Sequence, residues 1–274
     1  MQNQNEETLE QMMWRLTHTE KKSLPTGESK KTCSICEDTG WVYDPKTNSA
    51  VECSCGFLRN QVEKNRLEFA TLPEVFKMKR LSTFKETVYM KSDSRLFIKN
   101  AIKSVNYWLD NLDDMMKRGI GLYFHSNTKG SGKTRMAVSI ANELLDRKIQ
   151  VKFATSLQII NEIKSTWSHD SELNESKLLE QLSTTTVLII DDFGTEQYKD
   201  WIGERFYSII NQRYVDNKVT IFTSNYNLKN IDYDERIVNR IKERTYQIPF
   251  PEESVREHIA DENRKELFNG IKNT

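Results

Sequence analysis

Seventeen residues constrain this chain more than any others: Ile120 to Met136, IGLYFHSNTKGSGKTRM. The run Ile120-Gly121-Leu122-Tyr123-Phe124 is short and apolar, which suits a buried strand. Past Lys133-Thr134, apolar residues at Met136, Ile140, Ala141, Leu144 and Leu145 follow helical spacing. Strand, glycine loop, Lys-Thr and helix, in that order, make a P-loop. Backbone N–H groups from Gly130 to Thr134 then point inward at phosphate oxygens, and the helix N-terminus adds its dipole. The residues expected around a nucleotide are Asn127, Thr128, Lys129, Gly130, Ser131, Gly132, Lys133, Thr134 and Arg135. Lys133 reaches the β- and γ-phosphates, and the Thr134 hydroxyl ligates Mg²⁺. The pattern asks for glycine where Asn127 stands. Asn is the next best residue for a left-handed backbone, so the loop is expected still to close. The competing reading of the stretch is an ordinary glycine-rich turn before a helix.

A second stretch weighs against that competing reading. In TTVLIIDD, Thr185 to Asp192, four apolar residues in a row suit a central parallel strand buried on both faces. The strand ends in two carboxylates, as a Walker B element does. Asp191 is expected to hold Mg²⁺, mostly through water, and Asp192 to sit where the attacking water is polarised. Further on, VTIFT reads as a strand ending at Thr223-Ser224-Asn225. A polar side chain at that tip reaches the γ-phosphate. Strands alternate with helices throughout: QVKFAT, then SLQIINEIKSTW, KLLEQL, and about Trp201 to Val215. The expected fold class is therefore α/β, a central parallel sheet flanked by helices, with ligands at the carboxyl ends of the strands.

All four cysteines fall in one window, CSICEDTGWVYDPKTNSAVECSC. Cys33 and Cys36 form one pair, Cys53 and Cys55 the other. The turn-prone DPKTNS between them reads as a hairpin that brings the pairs together. Four thiolates suggest a closed tetrahedral Zn²⁺ site with a structural role, because no position remains open to substrate. Four unrelated thiols is the alternative.

The remaining segments set the organisation. Lys+Arg and Asp+Glu both number 40, so any nucleic-acid contact must come from a local patch. No apolar run is long enough for a membrane span, and MQNQNEETLEQ is no signal peptide, so a cytoplasmic protein is expected. Residues 1–30 read as a polar tail or, through Leu9, Met12, Met13 and Leu16, a docking helix. Residues 31–70 read as the cysteine module with a charged connecting helix, and 71–94 as a linker anchored by Phe76, Leu81 and Phe84. Residues 95–274 read as the nucleotide-binding domain, opening with one long helix to Arg118 that Gly119 caps. The basic zone Arg59 to Arg80 fits a solvated face or a phosphate-backbone contact.

With these pieces placed, the chain resembles the AAA+ helicase loaders of the DnaC/DnaI type and the related IstB transposition ATPases. The resemblance rests on CSICEDTGW…ECSC, NTKGSGKT, VLIIDDFG, INQRY, IFTSN, RIVNRI and ESVR. It implies an ATPase that uses ATP and Mg²⁺ at a boundary between self-associated subunits, preceded by a zinc module. It also implies a replicative DnaB-type helicase as partner and single-stranded DNA as a second ligand. By the same resemblance Asn225 looks like sensor 1, Arg240 like the arginine finger offered to a neighbour, and Arg256 like sensor 2. Lys133, Thr134, Asp191 and Asp192 keep their Walker roles. Many relatives carry Glu where Asp192 stands. The shorter carboxylate implies a slow ATPase working as a switch, since misplacement near 1 Å costs about 100-fold in rate. For DNA, Phe153 or Trp167 is expected to stack a base and Lys152 or Lys164 to meet phosphate, with Trp167 as a core cap the alternative. The competing functions are a transposition helper, a P-loop kinase for a small molecule, and a zinc scaffold without turnover.

Overall fold

The computed structural model describes residues 31–167, 172–197 and 199–272. The reading of residues 1–30 lies outside the described residues. Two compact units divide between Gln61 and Val62.

The first unit is small. Strands β1 (Trp41–Asp44) and β2 (Ser49–Glu52) pair antiparallel, Trp41 opposite Glu52 and Asp44 opposite Ser49, as the turn between the cysteine pairs predicts. The division between units falls inside the helix that follows, α1 (Phe57–Ala70).

The second unit is built on a parallel sheet. Three single turns, Glu74–Phe76, Leu81–Thr83 and Glu86–Val88, lead into α2 (Ser92–Asp110) and α3 (Leu112–Arg118). Then come β3 (Gly121–His125), α4 (Lys133–Asp146), β4 (Val151–Thr155), α5 (Ser156–Thr166) and α6 (Glu172–Thr184). The chain continues as β5 (Val187–Asp191), α7 (Asp200–Val215), β6 (Val219–Ser224), α8 (Glu235–Arg244), β7 (Thr245–Pro249) and α9 (Val255–Lys272). The strand order is β4-β5-β6-β3-β7, with every pair parallel.

The continuous apolar strands serve two cores because their side chains alternate. Leu122, Phe124, Val187 and Ile189 join one buried cluster with Val105 and Trp108 of α2 and Ile140 of α4. Tyr123, Leu188 and Ile190 join the other, with Ile163 of α5, Phe206 of α7 and Ile241 of α8.

Three local expectations change. The single helix to Arg118 is two helices, because Asn111 leaves helical geometry at φ −107°, ψ 26° and its side-chain amide donates to the Tyr107 carbonyl at 2.8 Å. Gly119 does cap the second of them, in the left-handed region at φ 66°. The short helix KLLEQL begins earlier, at Glu172. Residues 71–94 are more than a linker: Phe84 and Tyr89 are buried in the first cluster, and Asn142 of α4 donates to the Lys77 and Lys79 carbonyls at 3.0 and 2.7 Å.

Arg213, in the INQRY run, is the least expected core residue. It is fully buried and uses its guanidinium as a fork. Nε donates to Thr220 Oγ1 at 2.9 Å, Nη1 to the Leu182 and Thr185 carbonyls at 2.8 Å, and Nη2 to the Val219 carbonyl. Burial pulls its pKa down to about 9, still high enough for the charged form to persist at neutral pH. It staples the end of α6 to the starts of β5 and β6.

Candidate nucleotide site and cysteine cluster

The loop after β3 turns through two glycines in the left-handed region, Gly130 at φ 79° and Gly132 at φ 99°. A Cβ on Gly132 would lie 2.6 Å from the Tyr89 hydroxyl, which donates to the Ser131 carbonyl at 2.7 Å. A side chain there would displace the tyrosine that holds the loop. The loop closes as expected, but not through a left-handed Asn127, which is not among the left-handed residues. Its N–H instead donates to Glu252 at 2.9 Å, and the Thr128 hydroxyl donates to the same carboxylate at 2.7 Å. The loop is closed from outside by a residue 125 positions downstream, which removes the need for glycine at Asn127.

Beside this loop is a cleft of about 490 Å³ at the carboxyl ends of the strands. Lys129, Gly130, Ser131, Gly132, Lys133, Thr134, Arg135, Asp192, Asn225 and Arg256 all line it. The Lys133 side chain is nearly fully buried. Its ammonium donates to the Ser126 and Thr128 carbonyls at 3.2 and 3.1 Å and to Ser131 Oγ at 3.3 Å. Burial holds it below the usual lysine range, while Asp192, Glu252 and Asp191 pull it back up. Arg135 borders the cleft but turns its guanidinium to the Thr83 carbonyl, 2.6 Å away, and over the Phe84 ring.

The two aspartates after β5 differ in environment. Asp191 is buried between two hydroxyls: Thr223 Oγ1 donates to it at 2.6 Å and Thr134 Oγ1 at 3.2 Å. Burial pushes its carboxyl up to about 6, with the Thr223 bond opposing and Asp192 adding to the rise. Asp192 is exposed. Its backbone stands in the left-handed region at φ 53°, a strain on the order of 1 kcal/mol that turns its carboxylate into the cleft. The turn is held by Asp192 N–H to Thr223 Oγ1 at 3.0 Å and by Thr195 Oγ1 to the Asp192 carbonyl at 2.8 Å. Thr134 and Asp191 together offer hard oxygen donors beside the phosphate loop, a donor set that suits Mg²⁺.

Arg256 enters through the start of α9, where Val255 N–H donates to the Gly130 carbonyl at 3.0 Å. Arg240 does not line the cleft. It stands on α8 between the Tyr207 and Tyr214 rings, 5.1 and 5.6 Å from their centroids, and its Nη1 donates to the Arg236 carbonyl at 3.0 Å. Of the residues expected to meet DNA, Phe153 is core and Lys152 is buried against the Phe69 ring, so neither is free for it. Trp167 is exposed, edge-on to Trp201 at 4.8 Å, with Lys164 over the Trp201 ring. It does not cap the core.

Sequence reading did not place Val75, Phe76, Val255 and Ile259 at the apolar end of the cleft, nor Lys79 beside them. Phe76 was legible as an anchor, but nothing local tied the pre-sheet segment or the start of α9 to the phosphate loop.

In the first unit the four sulfurs converge, all within 4.8 Å of one another. Cys33 and Cys53 Sγ are 3.9 Å apart, Cys36 and Cys55 Sγ 3.6 Å. Tetrahedral Zn²⁺ with bonds of about 2.3 Å needs sulfurs about 3.8 Å apart, so the set fits that ion. The Cys36 and Ile35 N–H groups draw the Cys33 thiol down to about 7. Cys55 is pushed up to about 12: the Phe57 N–H lowers it, but burial and the neighbouring thiols outweigh that. A dication among the sulfurs would relieve this mutual repulsion. Asp38 shapes the loop by accepting from the Thr32 and Cys33 N–H groups at 2.9 Å.

A parallel sheet in this order, with a phosphate loop after β3 and a Walker B aspartate after β5, defines an AAA+ P-loop ATP-binding domain. Residues 122–256 match the family of IstB-like ATP binding proteins. Over these residues the chain is similar to the IstB-like ATP binding proteins and to helicase loaders named DnaC and DnaI. The replicative helicase loader DnaI of Bacillus subtilis (strain 168) is 26% identical over 244 residues, 81% of this chain and 73% of that protein. The replicative helicase loader DnaC of Escherichia coli (strain K12) is 26% identical over 145 residues, 52% of this chain and only 57% of its own length. A crystal structure of the DnaC helicase loader aligns with a TM-score of 0.55 at 25% identity, over 65% of this chain and all of that one. No helix among the described residues is long and apolar enough to cross a membrane.

Proposed function

We propose that this protein is an ATP-dependent loader that delivers a replicative DnaB-type helicase to single-stranded DNA, with slow hydrolysis acting as a switch. The carrying observation is the likeness to DnaI, which extends over 81% of the chain and so beyond the ATP-binding region alone.

The site residues divide the work. Lys133 exchanges its carbonyl partners for the β- and γ-phosphates. Thr134 and Asp191 would hold Mg²⁺, which would supply charge neutralisation at the phosphates, and Asp192 would orient the attacking water. Asn225 and Arg256 read the γ-phosphate from the chain's own side. Arg240 does not line its own cleft, which supports its use on a neighbour's nucleotide in a self-associated assembly. The cysteine set holds a structural Zn²⁺.

Affinity capture with ATP present tests the reading. Co-purification of a replicative helicase is the expected result, and its absence with a transposase in its place would move the protein to the second reading, a transposition helper. The match to the IstB-like family favours that second reading.

A further inference from the structure

Two carboxylates could neutralise Arg240: Glu243, three residues on and within helical reach along α8, and Asp234, the N-cap of that helix, whose pKa the Arg236 hydrogen bonds and then the Arg240 charge help to lower. Each is already engaged. Arg236 takes Asp234 with Nε and Nη2 at 2.9 and 3.0 Å, and its own N–H adds a third bond at 2.8 Å. Glu243 is taken by a residue of the neighbouring helix: Tyr214 Oη lies 2.8 and 2.9 Å from its two carboxylate oxygens. The Tyr214 ring meanwhile faces the Arg240 and Arg244 guanidiniums at 5.6 and 4.6 Å. Arg240 forms no ion pair among the described residues; its contacts are the two tyrosines and the Arg236 carbonyl.

We propose that Tyr214 is a positioning residue for the arginine finger, because its hydroxyl holds Glu243 away from Arg240 and keeps that guanidinium free for an anion on a neighbouring copy of the chain. The inference rests on reading Arg240 as acting in trans. A stacked guanidinium keeps its charge and most of its donors, whereas one paired with Glu243 must break that pair before it can meet a phosphate. Tyr214→Phe keeps the ring and the stacking and removes only the hydroxyl. Glu243, three residues from Arg240 and one turn along the same helix, is then released to pair with it.

The experiment measures steady-state ATP turnover of the full chain at concentrations where it assembles, with thermal melting as a check on folding. Tyr214→Phe is expected to lower kcat roughly two- to fivefold, the worth of an exposed ion pair, with KM for ATP unchanged. Adding Glu243→Gln to Tyr214→Phe is expected to restore kcat, and Glu243→Gln alone to leave it at or above the parent value. A purely structural role for the hydroxyl would not be rescued by a change at Glu243. The proposal is overturned if Tyr214→Phe turns over like the parent, or if the double variant stays as slow as the single one. Arg240→Ala is the reference. If it keeps full assembly-dependent turnover, the trans-finger reading itself fails. If it loses turnover while Tyr214→Phe does not, only the role of Tyr214 is refuted.

Discussion

The two units hold their shape by different physics. Among the described residues, the cysteine unit buries only Cys36, Cys53 and Gly40, and leaves Ile35, Trp41, Tyr43 and Val51 exposed. The ATP-binding unit buries two apolar clusters, one on each face of its sheet. A unit with so little apolar burial is expected to depend for its fold on a metal ion held by the four sulfurs, which lie within 4.8 Å of one another. The larger unit has cohesion to spare. It keeps a buried carboxyl, a buried ammonium and a left-handed aspartate together at one edge of the sheet. Where burial is plentiful, chemistry can be strained; where it is scarce, chemistry supplies the fold.

The sharpest way to break that contrast is to remove the metal. One equivalent of Zn²⁺ per chain is expected, and chelation should unfold residues 33–55, since structural Zn²⁺ contributes on the order of 10 kcal/mol. Hydrogen exchange should show protection lost at Trp41 to Glu52 while the sheet keeps its own. Simultaneous loss in both units would end the comparison. Next in size is Arg213→Met, expected to destabilise the ATP-binding unit by about 3–5 kcal/mol in urea melts, because it orphans buried carbonyls of Leu182, Thr185 and Val219. Zinc content should not change.

Lys133→Ala should weaken nucleotide binding by roughly 1.5–3 kcal/mol, the worth of a hydrogen bond to a charged group, with the fold intact by circular dichroism. Unaltered affinity would reject the phosphate-loop assignment. Asp191 gives two opposite pH trends. Its folded pKa, about 6, lies above its unfolded value. Between those values the folded protein binds a proton that the unfolded chain does not, so its contribution to stability is full at low pH and is lost as pH rises through 6. Mg²⁺ binding needs the ionised form and should weaken as pH falls through 6. Asp191→Asn should flatten the pH dependence of stability and abolish Mg²⁺-dependent nucleotide binding. The smallest effect expected is Lys164→Ala, which should lower the salt slope of single-stranded DNA binding by about 1. No change there would put the DNA contact elsewhere.

Much of the second unit was legible because its signals are local and repeat each other. The apolar run Val187 to Ile190 specifies a two-sided strand, and the phosphate loop and the Walker B strand each predict the other. What was not legible depended on contacts distant in sequence. Nothing near Asn127 indicates that Glu252 will close its loop. Nothing in QVKFAT distinguishes a lysine facing DNA from one laid against Phe69. Arg213 reads as one more charged helix residue until the carbonyls of Leu182, Thr185 and Val219 are seen around it. The break at Asn111 was written locally, in a residue that competes for backbone carbonyls, and was outweighed by apolar periodicity that runs through it.

The contacts between the phosphate loop and the residues beyond β7 also set an order of events during synthesis. Ser126 donates to the Pro251 carbonyl, Asn127 to Glu252, and Val255 to the Gly130 carbonyl, spans of about 125 residues. A ribosome adding 5–20 residues per second needs roughly 6 to 25 s to cover that distance. For that interval the loop exists without its outer wall, so ATP cannot assist the folding of the strands made first. The nucleotide pocket is completed last, and nascent chains halted before Glu252 should carry a sheet but no grip on ATP.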